Sequence, residues 1–330
     1  MATRRMVRSH GSLLAILITA WTTGVWIAAR AATGAAPPAA VPEVFAPGLI
    51  SGSPNEDCLT LTPDGNTAFF DLDNGKSVFI VVSHRKDGVW SKPAIAPFSG
   101  QWADHDPALA PDGSHLVYAS SRPAVPGGAP VTSRGNLWRV DRKGDGWTEP
   151  VRLPDTVNAS PRTYAPSIAA DGSLYFIRPN ASGVMHIFRS QHRDGTYREA
   201  VEVAVGNPAA HEKDPAIAPD ESFIVFDSND PVKNDPDRLF IAFREGAGWG
   251  KALDLGDAVN ANNNPWGPHV SPDGRTLYFT SDRVVPAPYP RTSAQAADDL
   301  ARLQSWNNGN NNIWFVSLSE WLNTGRTGKP

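Results

Sequence analysis

A chain of 330 residues, 41% hydrophobic and 19% charged, can bury a sizeable core and is not disordered by composition. Its 28 Gly and 30 Pro, against three Met, favour many short elements joined by tight turns. One cysteine excludes an intramolecular disulfide framework and any multi-cysteine zinc or iron–sulfur site, and a net charge of −4 gives no general nucleic-acid footprint.

Arg4, Arg5 and Arg8 precede an uncharged, mostly apolar run from Ser12 to Ala29, closed by the A-x-A pattern Ala29-Arg30-Ala31. Residues 1–31 are expected to be a signal peptide, or a signal anchor if the segment is retained. Arg8 spoils a twin-arginine match, and no cysteine follows the run to carry a lipid. Removal of the segment takes four arginines with it and leaves an acidic chain of net charge −8. Residues 32–41 read as a flexible lead-in. The expected destination is the periplasm or cell envelope, or the medium.

Five segments beyond this point are alike: CLTLTPDGNTAFF from Cys58, DPALAPDGSHLVY from Asp106, APSIAADGSLYF from Ala165, DPAIAPDESFIVF from Asp214 and GPHVSPDGRTLYF from Gly267. Each reads as a strand, a turn built on Pro, Asp and Gly, and a second strand carrying an aromatic (Phe70, Tyr118, Phe176, Phe226 and Phe279). A third apolar strand follows from Ser77, Asn136, Val184, Arg238 and Asn312. A fourth is expected to open on Trp90, Trp147, Tyr197 and Trp249, and is missing from the fifth unit. The stretch PEVFAPGLI from Pro42 resembles EPVRLP from Glu149 and can replace it. The expected fold is therefore all-β: a five-bladed β-propeller of four-stranded blades over residues 42–322, closed by an N-terminal strand completing the last blade, with a tail at 323–330.

These repeats resemble the WD-like, Pro-Asp-Gly propeller repeats of TolB-type proteins, through Pro63-Asp64-Gly65, Pro111-Asp112-Gly113, Asp171-Gly172, Pro219-Asp220 and Pro272-Asp273-Gly274. Ser120-Ser121-Arg122 and Ser281-Asp282-Arg283 close strand two in the same style. The resemblance implies fold more than activity, because the shared residues form turns and packing. The chain departs from TolB itself in having five repeats where TolB has six, and in lacking the α/β domain in front.

Candidate site residues precede each inner strand, where a propeller's loops converge on the channel mouth. Seven positions before the turn stand Glu56, Asp104 and Glu212, which would be the catalytic carboxyls if the protein is an enzyme. Six positions before it stand Asp57, His105, Tyr164, Lys213 and Trp266, expected to bind ligand together with Trp102, Arg162 and Arg283. Asp106 and Asp214 begin Asp-Pro strand starts that resemble those of five-bladed arabinanase-type glycosidases; they could equally hold backbone N–H groups between blades. Long insertions lie at Arg122 to Gly135, Ser228 to Asp237 and Val284 to Asn311, the last with a short helix from Ser293. No cofactor is required, although a divalent cation at the channel mouth suits Glu56, Asp104, His105 and Glu212. Cys58, among apolar strand residues, is expected to be an inert thiol. Two functions follow: a binding or interaction module for a small molecule, glycan or envelope protein, or a carbohydrate-active hydrolase. A monomer without nucleic-acid binding is expected, with no membrane span once the signal is removed.

Overall fold

The computed structural model describes residues 40–132, 134–229, 236–260 and 264–327, so the expected signal segment (residues 1–31) and most of the expected lead-in lie outside the described residues. Five antiparallel sheets follow one another, each opening with an inner strand: Asn55–Leu61, Asp104–Leu109, Tyr164–Ile168, His211–Ile217 and Trp266–Val270. Second strands are Thr67–Asp73, His115–Ser120, Leu174–Pro179, Phe223–Asn229 and Thr276–Ser281. Third strands are Val78–Lys86, Asn136–Lys143, Met185–Ser190, Arg238–Glu245 and Asn312–Ser317. The outer strand of the fifth blade is Glu43–Val44, paired antiparallel with Trp314 and Phe315, so the N-terminal strand completes the last blade. This is the five-bladed propeller that the repeats predict.

The repeated turns explain themselves chemically. The carbonyls of Thr62, Ala110, Ala169, Ala218 and Ser271 accept the N–H groups of Gly65, Gly113, Gly172, Glu221 and Gly274. The carboxylates of Asp64, Asp112, Asp171, Asp220 and Asp273 each accept the N–H two residues on. The residue closing each turn has positive φ, which Gly adopts freely. Glu221 adopts it too (φ 56°), and its carboxylate binds Tyr175 Oη (2.7 Å) and Arg189 Nε (2.7 Å) of the preceding blade.

Each sheet is apolar on both faces, because each lies between two neighbours. Consecutive residues of a strand therefore enter different cores: Phe69 joins Tyr118 and Trp138 between blades one and two, while Phe70 joins Leu59 and Ile313 between blades five and one. Five such apolar layers occupy the five junctions. Arg122, Arg178 and Arg283 stitch junctions near their rims, each guanidinium lying over a third-strand aromatic (Trp138, Phe188, Trp314). Each also donates to a carbonyl in the loop leaving the preceding blade: Phe98, Val157 and Ala258. Arg283, expected at the ligand, is thus an inter-blade clasp.

Two expectations change. The aromatics Trp90, Trp147, Tyr197 and Trp249 do not open the fourth strands but end a short hairpin, as in Val89–Trp90 against Lys86 and Arg85. The fourth strands come later, at Ala94–Ile95, Val151–Arg152, Val201–Glu202 and Leu253–Asp254. After four of the five outer strands, those of blades one, two, four and five, a polar side chain accepts the same third-strand N–H: Ser99 from Ile80, Asn158 from Leu137, Asn260 from Leu239 and Ser51 from Ile313. The described part of the expected tail belongs to a helix over Ser319–Thr327, which sets Trp321 and Leu322 against the core between blades four and five. The helix expected in the last insertion spans Ser293–Leu303, with a capping box between Thr292 and Gln295.

Candidate functional site

Every inner strand carries a β-bulge at one position, visible as a register shift against the second strand. The bulged residues are Cys58, Asp106, Ala165, Asp214 and Gly267, all left-handed with φ between 43° and 55°. For the four with side chains this conformation costs about 1 kcal/mol each. It is offset where the turned N–H finds a neighbour. Cys58 N–H donates to Thr280 Oγ1 (3.2 Å), Asp106 N–H to Asp71 Oδ2 (2.9 Å) and Ala165 N–H to Asp106 Oδ2 (3.0 Å). The bulges and the residues after them, four of which are proline, narrow the channel to a cavity of about 30 Å³.

Above this ring the mouth opens into a cavity of about 410 Å³. Asp57, Asp71, Asp73 and Asp106 wall it together with His105, Arg134 and Trp266. Asp57 and Asp71 face each other directly across the first two strands of blade one. Burial pushes the Asp57 carboxyl up to about 7; the Asn311 side chain opposes the shift and the nearby Asp73 and Asp106 add to it. Burial and then Asp106 hold Asp71 well above the carboxylate range as well. Asp106 goes the other way: burial raises it, but His105, Arg134 and the Ala165 N–H together pull it below its ordinary value. His105 Nδ1 lies 3.0 Å from Asp106 Oδ2, and its Nε2 lies 2.9 Å from the Arg134 carbonyl. One oxygen each of Asp57 and Asp71 is buried with no hydrogen-bond partner. Such groups are costly unless they keep a proton or meet a cation.

The residues expected from sequence divide sharply. Asp57, His105 and Trp266 line the mouth, and Tyr164 stands beside it with the Arg134 guanidinium 5.7 Å over its ring. Lys213 is engaged by Asp237 (2.8 Å) and Asp227 (3.2 Å). Arg162 is exposed and Trp102 half-buried, and neither lines the cavity. Glu56, Asp104 and Glu212, expected as a catalytic ring, are 2%, 0% and 1% exposed. Alternation along the strand sends them into the junctions between blades, away from the mouth. There Glu56 accepts the Gly52 N–H (3.0 Å) and Asp104 accepts Ser99 (2.9 Å) and Ser120 (2.6 Å). Glu212 lies 3.5 Å from His186 Nδ1. The cation proposed for Glu56, Asp104, His105 and Glu212 therefore has no common site. Burial, and then the neighbouring carboxyls, hold the Cys58 thiol above its ordinary value, as an inert thiol requires, although its neighbours are not only apolar: it donates to Asp106 Oδ1 (3.4 Å).

Asp71, Asp73 and Arg134 escaped the sequence reading. Asp71 was detectable: it directly follows the repeated aromatic, where the other blades carry Ala119, Ile177, Asp227 and Thr280, a chemically varied set opposite the varied inner positions. Arg134 lies in an insertion expected to be functional, with no pattern to single it out.

The comparisons with solved structures agree with this architecture. The catalytic domain of the Coprinopsis cinerea GH62 alpha-L-arabinofuranosidase is 12% identical, with 86% of this chain and 98% of that chain covered and a TM-score of 0.50. The likeness is one of fold. A putative TolB from Agrobacterium tumefaciens (14% identity, 69% and 70% covered, TM-score 0.45) and TolB from Acinetobacter baumannii (12%, 80% and 54%, 0.45) are also similar. No family profile matches the sequence, and no curated protein matches it.

Proposed function

We propose that this protein is an exported ligand-binding or interaction module of the cell envelope, acting through the channel mouth on the loop-rich face. One observation carries the reading: four carboxyl groups, Asp57, Asp71, Asp73 and Asp106, share one cavity with only His105 and Arg134 as bases, beside the indole of Trp266. The raised Asp57 and Asp71 carboxyls can give up protons to an arriving cation, so a cavity of four carboxyls with an aromatic wall suits a cationic group, such as an amine or guanidinium on a small molecule or on a partner protein's side chain. Export is proposed from the charged and apolar pattern of residues 1–31.

The test is calorimetry and thermal shift with 1,5-diaminopentane, arginine methyl ester, lysine-rich peptides and neutral oligosaccharides. Cationic probes are expected to bind and stabilise the protein, more weakly at high salt and in Asp73→Asn. Binding by neutral sugars alone, or by none of the probes, would sink the reading. A second reading, carbohydrate hydrolysis, is supported by the grouping of several carboxyls beside Trp266. It predicts turnover of an aryl-glycoside panel that Asp57→Asn abolishes.

A further inference from the structure

We propose that Cys58, Asp71 and Asp106 form a binding site for a thiolate-accepting divalent cation of the zinc class, at the floor of the channel mouth. One ligand atom from each of the three residues lies within 4.8 Å of the others. All three stand on rigid strands of two adjacent blades: Cys58 and Asp106 are successive bulge residues, and Asp71 lies on the second strand of blade one.

Each carboxylate is already oriented through one oxygen. Asp71 Oδ2 accepts the Asp106 N–H, and Asp106 Oδ2 accepts the Ala165 N–H and faces His105 Nδ1. His105 is in turn placed by the Arg134 carbonyl, an outer layer of the kind that fixes metal-binding side chains. The second oxygen of each carboxylate makes no backbone bond. Asp71 Oδ1 has no partner although the residue is 3% exposed, and Asp106 Oδ1 meets only the Cys58 thiol among the described residues. The unpartnered, buried Asp71 oxygen is the independent sign that a ligand is wanted here.

The donor set selects the ion. Zn²⁺ accepts sulfur and carboxylate oxygen together, and three protein ligands leave a fourth position open to the channel. Ca²⁺ and Mg²⁺ require about six or more oxygen donors, and a thiol is a poor ligand for either. Cys58 and Asp106 both line the channel cavity and are only partly buried, so the ion has a way in. Binding forms the metal–sulfur bond as the S–H bond breaks, and that proton leaves to solvent, as does any proton held by the two carboxyls.

The site shares Asp71 and Asp106 with the proposed ligand cavity, but metal binding is tested on the full chain without organic ligand, so its failure is distinguishable from a failure of ligand capture. Chelator-treated protein is titrated with Co²⁺ and then Zn²⁺. One equivalent of Co²⁺ should bind with a thiolate-to-cobalt charge-transfer band, Zn²⁺ should abolish that band, and the heat of binding should vary with buffer as protons are released. Cys58→Gly is the decisive variant, because Gly267 holds the equivalent position of blade five at φ 55° against 52° for Cys58. It should keep the metal-free melting temperature, lose the band and bind Zn²⁺ roughly a hundredfold more weakly. If that variant does not fold, Cys58→Ser takes its place in the same titration. Asp194→Asn, on an exposed turn of blade three, should bind Zn²⁺ like the wild type. Co²⁺ binding without the band, or equal Zn²⁺ affinity in the Cys58 variant, would overturn the proposal.

Discussion

A carboxyl group buried without a hydrogen-bond partner has two stable outcomes: it keeps its proton, or it acquires a cation. Asp71 is proposed to take the second outcome, and Glu212 is expected to take the first. Both Glu212 oxygens lack hydrogen-bond partners, and burial, helped by Glu202, pushes this carboxyl up to about 8. In the unfolded chain the same group titrates near 4.5. Between those values the folded state holds a proton that the unfolded state has lost. The stabilisation is complete below pH 4.5 and is lost as pH rises toward 8, by about 1.4 kcal/mol per unit. Glu56, pushed up to about 8 by its own burial, adds a parallel decline. Glu212→Gln should therefore flatten the fall in melting temperature between pH 5 and 8 and melt above the wild type at pH 8. An unchanged slope would refute the protonated state. Charge at this register was plain in the sequence, but its direction was not. One step along a strand separates a residue at the mouth from a residue in a junction, and the bulge that fixes this phase leaves no mark in composition.

At the scale of the element, the blades are held by small polar anchors. Asn158 Oδ1 accepts the Leu137 N–H (2.8 Å), and its Nδ2 donates to the carbonyls of Leu137 (3.0 Å) and Leu153 (2.9 Å). Asn260 treats Leu239 in the same way. Asn158→Ala would strand the buried Leu137 N–H, while the Leu137 and Leu153 carbonyls would each lose one donor but keep another (the Leu153 N–H and Arg152 Nη1), at a cost of about 1–3 kcal/mol. Asn158→Ser, copying Ser99 and Ser51, should recover part of it. Urea midpoints of the three proteins measure both statements, and a loss below about 1 kcal/mol for the alanine variant would contradict the anchoring role. The anchor was legible as a repeat, since LPDTVN from Leu153 matches LGDAVN from Leu255. Read alone, Asn158-Ala159-Ser160 is a glycosylation sequon, yet Asn158 is 5% exposed with its amide fully engaged. Turns were easier to read, because Asp64 and its four counterparts bond within their own segments. The outer strands were harder, because two-residue strands such as Val201–Glu202 carry no pattern of their own.

For the whole molecule, the decisive event is the meeting of the two ends of the ring. Phe45 N–H donates to the Ile313 carbonyl (2.8 Å), and its ring meets Tyr278, Trp90 and Phe315 at centroid distances of 5.3, 5.7 and 6.1 Å. Phe45→Ala removes three edge-on aromatic contacts at the closure and should destabilise the fold by about 2–4 kcal/mol in chemical denaturation. Unchanged stability would show that the ring holds without its N-terminal strand. This closure was legible because the fifth repeat lacks a strand and PEVFAPGLI from Pro42 supplies one. The composition of the mouth was less so, since Asp57, Asp71, Asp106 and Arg134 meet only once four separate segments of blades one and two have packed side by side.

The narrowing at the bulges has one more consequence. A second axial cavity of about 20 Å³, walled by Leu61, Ala110, Ile168, Ile217 and Val270, continues below the first. Both spaces are close to the size of a water molecule, so an organic solute held above the bulges finds no wide passage down the axis. Such a solute, entering over Trp266, must leave past it, and a protein seated on the loop-rich face would stopper the mouth. Exchange of a small solute would then be governed by the residence time of that larger partner, however weakly the solute itself is held.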